Sequence, residues 1–289
     1  VIGVGIAHGA ITFLNALPTG IGAAAGIELP ATATVELRDA EARTIEVHAE
    51  SDSPLVVASA EAALQAWAPD RPLRAQVRVR SEVPVAKGLK SSSAVGTAVV
   101  RAVAAGLGVV PPDDHVASIA ADVAQRIGLS ATGAFDDALA SIEPGVQVTD
   151  NPARKRIRTD PVDPAWAVVI WVPEGLHAPS ATVRERFATA APDAAAAEAA
   201  ARRGDPLAAM TLNTAIVERI MGYEYGAIRA QLRAAGALGA GVSGMGPALA
   251  AIARPADCDA VRQTFPTGEG SVVITRFVRA APTPTGGTG

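Results

Sequence analysis

The run Pro84-Val-Ala-Lys87-Gly88-Leu89-Lys90-Ser91-Ser92-Ser93-Ala94 constrains this chain more than any other segment. A glycine turn is followed by three hydroxyl residues and then by Ala94, Val95, Ala98, Val99, Ala102 and Val103 at helical spacing. A helix therefore starts in the serines, because glycine turns the chain and serine suits the start of a helix. A strand feeds the turn: Ala75-Gln-Val-Arg-Val-Arg-Ser81 alternates apolar and polar residues, as a strand with one solvated face does. The fold must hold a strand–turn–helix unit whose turn offers unpaired backbone N–H groups and the positive helix end, a setting that suits phosphate. Lysine usage points the same way. The chain has three lysines, and Lys87 and Lys90 both sit here, while positive charge elsewhere is almost entirely arginine.

Composition narrows the classes of function. The 289 residues can bury a large core as one big domain or two closely packed lobes. With 25 basic and 29 acidic residues the charge is mixed, which argues against a nucleic-acid partner. The single Cys258 excludes an intramolecular disulfide and suits a reducing, cytoplasmic setting. No apolar run is long enough to span a membrane, and the first seven residues, apolar but without a basic flank, read as a strand and not as a signal peptide. His8, His48, His115 and His177 lack zinc-ligand spacing. Neither a Walker A pattern nor a Gly-x-Ser-x-Gly elbow occurs, so a P-loop enzyme and a serine hydrolase lack support.

Along the chain, strands are expected at residues 1–7, 32–38 and 44–49, and a helix from Pro54 with Val56, Val57, Ala60, Leu64 and Trp67 on one stripe. Helices follow at about 92–107 and 113–127, with Asp113 as the expected N-cap of the second. The second half opens on a buried strand at 166–172. Helical patterns cover 180–190, 193–203, 206–221 and 225–235, then a glycine-rich loop at 239–247, a strand at 249–253, a helix at 256–264 and a closing strand at 271–278. The Pro-, Asp- and Arg-rich stretch 150–164 marks the lobe boundary, giving lobes at 1–150 and 151–280 and a disordered tail at 281–289. Strands and helices alternate without a regular βαβ period, which predicts α+β and not a doubly wound sheet.

Three further segments carry candidate chemistry. Asp136 and Asp137 are adjacent acids in an apolar stretch, fit for a general base and a magnesium ligand near phosphate, or equally for capping the next helix. The loop 239–247 reads first as a tight helix-to-strand turn and second as backbone that approaches a ligand closely. Small and polar residues after the first strand, including Thr12 and Asn15, suggest backbone crossing a cleft.

Together these segments resemble the GHMP kinase superfamily. Its glycine–serine motif is matched by Pro84…Gly88-Leu89-Lys90-Ser91-Ser92-Ser93-Ala94, with Lys90 where glycine is usual. Its C-terminal motif is matched by Ser243-Gly244-Met245-Gly246-Pro247, and its acidic segment by Thr132-Gly133-Ala134-Phe135-Asp136-Asp137-Ala138. Gly9-Ala10-x-Thr12-x-x-Asn15-Ala16, Lys90 and Thr149-Asp150-Asn151 are most similar to the archaeal-type shikimate kinase branch. The resemblance implies an α+β fold with an ATP-binding N-terminal lobe and a ferredoxin-like C-terminal lobe. It implies transfer of the ATP γ-phosphoryl group to the 3-hydroxyl of shikimate, with Mg²⁺. Pro84, Lys87, Gly88, Leu89, Lys90, Ser91, Ser92 and Ser93 would bind the nucleotide, and Ser91, Ser92 and Asp122 the metal. Asp136 would serve as base with Asp137 as the alternative and Lys90 beside them. Thr12, Asn15, Asp136, Ser243, Gly244 and Gly246 would contact the acceptor. Another GHMP kinase such as homoserine kinase, a decarboxylase of the same superfamily and a non-catalytic ATP-binding protein stay open, as does a homodimer through sheet edges.

Overall fold

The computed structural model describes residues 1–48, 54–175 and 181–279. The expected strand end at residue 49, helix start at 180 and tail at 281–289, together with His177, lie outside the described residues.

The first sheet is built on two long strands. β1 (Ile2–Leu14) and β2 (Ile21–Asp39) pair antiparallel along most of their length. The expectation of short strands at 1–7 and 32–38 caught only one end of each, because the alanine- and glycine-rich remainder carries no apolar–polar alternation: it is buried on both faces. The other edge of β2 is shared by β4 (Leu73–Ser81) and β5 (Val146–Asp150), both antiparallel to it. β3 (Thr44–His48) runs parallel to β4, and the crossover between them is the helix α1 (Pro54–Trp67). Val56, Ala60 and Leu64 of the expected stripe are buried, joined by Leu55 and Ala63, whereas Val57 is 37% exposed and Trp67 only half-buried.

α2 (Ser91–Leu107) lies across β1 and β2 with Ala94, Ala98, Val99, Ala102 and Val103 buried, and α3 (Asp113–Arg126) packs against α2. Asp113 is not the N-cap of α3. Pro112 takes that position and no side chain caps the helix, so Asp113 and Asp114 act only as acids in the first turn, favourable to the helix dipole. The short α4 (Phe135–Ala140) sinks Phe135 and Leu139 into the core against β2 and β5. β6 (Lys155–Asp160) pairs antiparallel with β5. A division at residue 150 would cut that hairpin, so we propose the lobe boundary after Asp160. The polar sequence Lys-Arg-Ile-Arg-Thr-Asp reads as a linker, yet it is a largely solvated strand that closes one end of the sheet.

The second sheet contains β7 (Ala167–Pro173), β8 (Ala237–Val242), β9 (Leu249–Ala253) and β10 (Gly270–Arg276), all antiparallel, in the order β10-β7-β9-β8. Between β7 and β8 come α5 (Ala181–Ala188), α6 (Ala191–Arg203), α7 (Pro206–Met221) and α8 (Gly226–Ala234). α9 (Cys258–Thr264) connects β9 to β10. A βαββαβ path with this strand order is the ferredoxin-like arrangement. The glycine-rich stretch is shorter as a loop than expected, since Gly239–Val242 continue β8 and only residues 243–248 turn. The two halves meet where α7 packs on β1, and where Ile27 bridges to Phe277.

Candidate active site

A cavity of about 390 Å³ opens where both halves converge. Its floor is the end of β1 and the residues that follow it, Asn15 among them, and one wall is residues 84–93, without Lys87. Ser130–Thr132, Ala134 and the two acids of α4 form another wall, and Gly244, Met245 and Gly246 close it from the second sheet. Pro84, Gly88, Leu89, Lys90, Ser91, Ser92 and Ser93 thus all reach the cavity. Gly88 (φ +83°) faces the Ser243 carbonyl so closely that a Cβ has no room. Lys90 is left-handed (φ 66°) and sets the chain into α2, whose first intrahelical bond runs from the Ala94 N–H to the Lys90 carbonyl at 3.0 Å. No side chain caps this helix, so its first N–H groups remain open towards the cavity. A left-handed residue followed by a bare helix start forms a concave anion cradle.

Opposite the cradle stand Asp136 and Asp137, 4% and 7% exposed. Ala134, left-handed at φ 52°, is the N-cap, so neither acid caps α4 and both occupy its first turn. Burial, then the charge of Asp137, push Asp136 up from 3.8 to about 7, against the opposing pull of Lys90 and of Asn151. Burial also raises Asp137, although the Lys90 ammonium, 3.1 Å from its Oδ2, favours the charged form. Burial thus favours the neutral form of both carboxyls, while Lys90, the counter-ion of Asp137, opposes it. Asp137 Oδ1 is buried without a hydrogen-bond partner.

Two residues missed in the sequence hold Asp136 in place. Asn151 donates from Nδ2 to Asp136 Oδ1 (2.8 Å), and its own Oδ1 accepts from the Asp136 backbone N–H (3.0 Å) and the Thr149 hydroxyl (2.6 Å). Gly22 on β2 lies against the same carboxylate, which would collide with any Cβ there. The resemblance to Thr149-Asp150-Asn151 was the available signal for Asn151. Gly22 lies in the small-residue stretch that suggests backbone crossing a cleft, but its contact with Asp136 arises only through the tertiary fold.

Four expected site residues stand elsewhere or act indirectly. Lys87 turns away from the cavity, and its buried ammonium donates to the carbonyls of Pro173 and Gly175. Left-handed Ala86 (φ 58°) and Lys90 reverse the chain on either side of it, so the two lysines do not share a face. Asp122 lies on the exposed face of α3, pairs with Arg154 at 2.9 Å, borders a separate hollow between α1 and α3 and does not line the cavity that Ser91 and Ser92 reach. Thr12 and Ser243 are buried behind the wall. The Gly244 N–H donates to Thr12 Oγ1 (2.8 Å), the Thr12 N–H to Ser243 Oγ (3.2 Å), and Ser243 Oγ to the Gly88 carbonyl (2.8 Å). They tie β1, the glycine loop and the cradle together instead of lining the cavity. Asn15 does line it, donating from Nδ2 to the Gly244 carbonyl at 3.3 Å while its N–H is held by Asn213 Oδ1 at 2.9 Å.

An anion cradle at a helix start, a buried acid held above its ordinary value and a glycine loop from a ferredoxin-like half together suit phosphoryl transfer. The family model for the GHMP kinases N terminal domain matches residues 54–145, and that for the GHMP kinases C terminal domain matches 192–267. The chain belongs to the GHMP kinase family. Shikimate kinase of Methanothrix thermoacetophila is 37% identical over 96% of this chain and 93% of its own length, and that of Methanosarcina mazei 35% identical over 86% and 84%. The mevalonate kinase of Methanococcus jannaschii, 13% identical, superposes with a TM-score of 0.71 over 96% of this chain and 98% of that one, a likeness of fold.

Proposed function

We propose that this chain is an ATP-dependent kinase that phosphorylates the 3-hydroxyl of shikimate. The observation that carries the reading is the meeting, in one cavity, of an uncapped helix start with a buried acid that titrates near pH 7. The relatives named shikimate kinase, similar over nearly the whole chain, support the choice of acceptor.

Phosphoryl transfer needs positioning and charge neutralisation more than covalent help from the protein. The N–H groups at the start of α2 and the Gly88–Lys90 turn hold the β- and γ-phosphates of ATP. Lys90, fixed by Asp137, presents its ammonium to the same oxygens. Asn15 and the backbone of Gly244 and Gly246 contact the acceptor. Asp136, oriented by Asn151, takes the proton of the attacking hydroxyl as the new P–O bond forms and the bond to the β-phosphate breaks, the electron pair leaving with ADP. An acid titrating near 7 is suited to that transfer at neutral pH. Mg²⁺ suits the donor set: the Ser91 and Ser92 hydroxyls are hard oxygen ligands on the cavity wall, and phosphate oxygens and water complete such a shell. Bound there, the ion would neutralise phosphate charge. The lone Cys258 suits a cytoplasmic enzyme.

Phosphorus NMR of the product formed from ATP and shikimate tests the proposal. A new phosphomonoester signal coupled to the proton on carbon 3 is expected. A phosphate on another hydroxyl, or inorganic phosphate alone, would refute it.

A further inference from the structure

The whole chain has two tyrosines, and both stand behind the glycine loop instead of in the cavity. Tyr223 and Tyr225 occupy the short link between α7 and α8. Their rings stack with centroids 5.0 Å apart and planes within 10°, and Trp171 of β7 meets Tyr225 edge-on at 5.8 Å. Each hydroxyl donates to the loop: Tyr223 to the Met245 carbonyl at 2.9 Å and Tyr225 to the Pro247 carbonyl at 3.2 Å. Burial raises both phenols above their ordinary value, so both remain donors throughout the neutral range. Gly246 (φ +80°) rests on the Tyr223 ring, where a Cβ would lie 2.7 Å from the nearest ring atom.

The loop in turn grips the anion cradle. Ser243 Oγ donates to the Gly88 carbonyl, the Ala248 N–H donates to the Lys87 carbonyl at 3.2 Å, and the Ser243 carbonyl fills the space beside Gly88. Direct contacts therefore run from Trp171 through the tyrosine pair and the glycine loop to the residues that shape the cradle.

We infer that Tyr223 and Tyr225 are positioning residues for nucleotide binding, their hydroxyls holding the glycine loop against the Gly88 turn. The inference rests on the phosphate-site reading above. Ring packing alone would be served as well by phenylalanine. What the hydroxyls add is a fixed position for two carbonyls of a loop that touches the cradle.

Tyr223→Phe, Tyr225→Phe and the double variant test this, with ATP affinity measured by calorimetry without acceptor, KM for both substrates, and thermal melts. Loss of one such hydrogen bond should weaken ATP binding about fivefold, and loss of both more. Because Gly244 and Gly246 of the same loop contact the acceptor, its KM should rise as well, while kcat at saturating concentrations of both substrates stays within about twofold of wild type and the Tm is unchanged, a split that general loosening would not give. ATP affinity unchanged in the double variant would overturn the inference, as would weakened ATP binding accompanied by a lowered kcat and a lowered Tm. Failure of the wild-type protein to bind ATP would refute the phosphate site itself.

Discussion

Asp136→Asn should make this protein more stable while removing its turnover. In the folded chain the Asp136 carboxyl titrates at about 7, against 3.8 for the ordinary group. A proton is therefore held in the native state over a pH range in which the unfolded chain has already lost it. Stability contributed by this group is greatest below the unfolded value, falls as pH rises from about 4 to 7, and is level above that. Roughly three units at 1.36 kcal/mol each give a penalty of at most about 4 kcal/mol at pH 8, of which somewhat under 2 is already present at pH 5. Asparagine stays neutral, and its side-chain oxygen can still accept from Asn151 Nδ2. Urea unfolding of wild type and variant at pH 5 and pH 8 isolates the effect, since other titrating groups largely cancel in the difference. The variant should gain about 2 kcal/mol or a little more relative to wild type between the two pH values. Turnover should fall at least a hundredfold, as loss of a general base does. Equal pH dependence in the two proteins, or a variant less stable than wild type at pH 8, would refute the reasoning.

Asp137→Asn removes a charge that raises Asp136 and frees Lys90 to lower it. The acid limb of the kcat/KM profile should move to lower pH, and a shift to higher pH would count against the charge of Asp137 as a cause of the raised Asp136 value. Lys87→Ala leaves the Pro173 and Gly175 carbonyls without their ammonium donor. It should cost about 1–3 kcal/mol in urea unfolding with the ATP KM unchanged. A raised KM with stability intact would return Lys87 to the phosphate site.

The parts of this account readable in the sequence are the local ones. Gly88 marks the helix start because turn chemistry acts within a few residues, although the serines open α2 without capping it and Lys90 is the N-cap. In the second half the helices and three of the four strands follow the sequence periodicity, while β8 was missed because its alanines and glycines carry no apolar–polar alternation. Long-range placement was less accessible. Lys87 and Lys90, three residues apart, look equivalent until the left-handed Ala86 and Lys90 turn them apart. Asp122 lies between the buried pairs Ala120–Ala121 and Val123–Ala124, yet its face is settled by the packing of α3 on α2 and α1. The long reach of β1 and β2 was hidden because strands buried on both faces show no alternation. Gly22 and Asn151 meet Asp136 across a sheet and a turn, and Thr12 and Ser243, expected as acceptor contacts, are ties within the wall.

Coupled measurement of ADP release, with shikimate, homoserine and mevalonate each set beside a control without acceptor, tests the central claim most directly. Shikimate- and Mg²⁺-dependent release by the wild type, lost in Asp136→Asn, is the predicted result. Release with homoserine or mevalonate but not with shikimate would contradict the assignment of the acceptor, and release unchanged in Asp136→Asn would contradict the base.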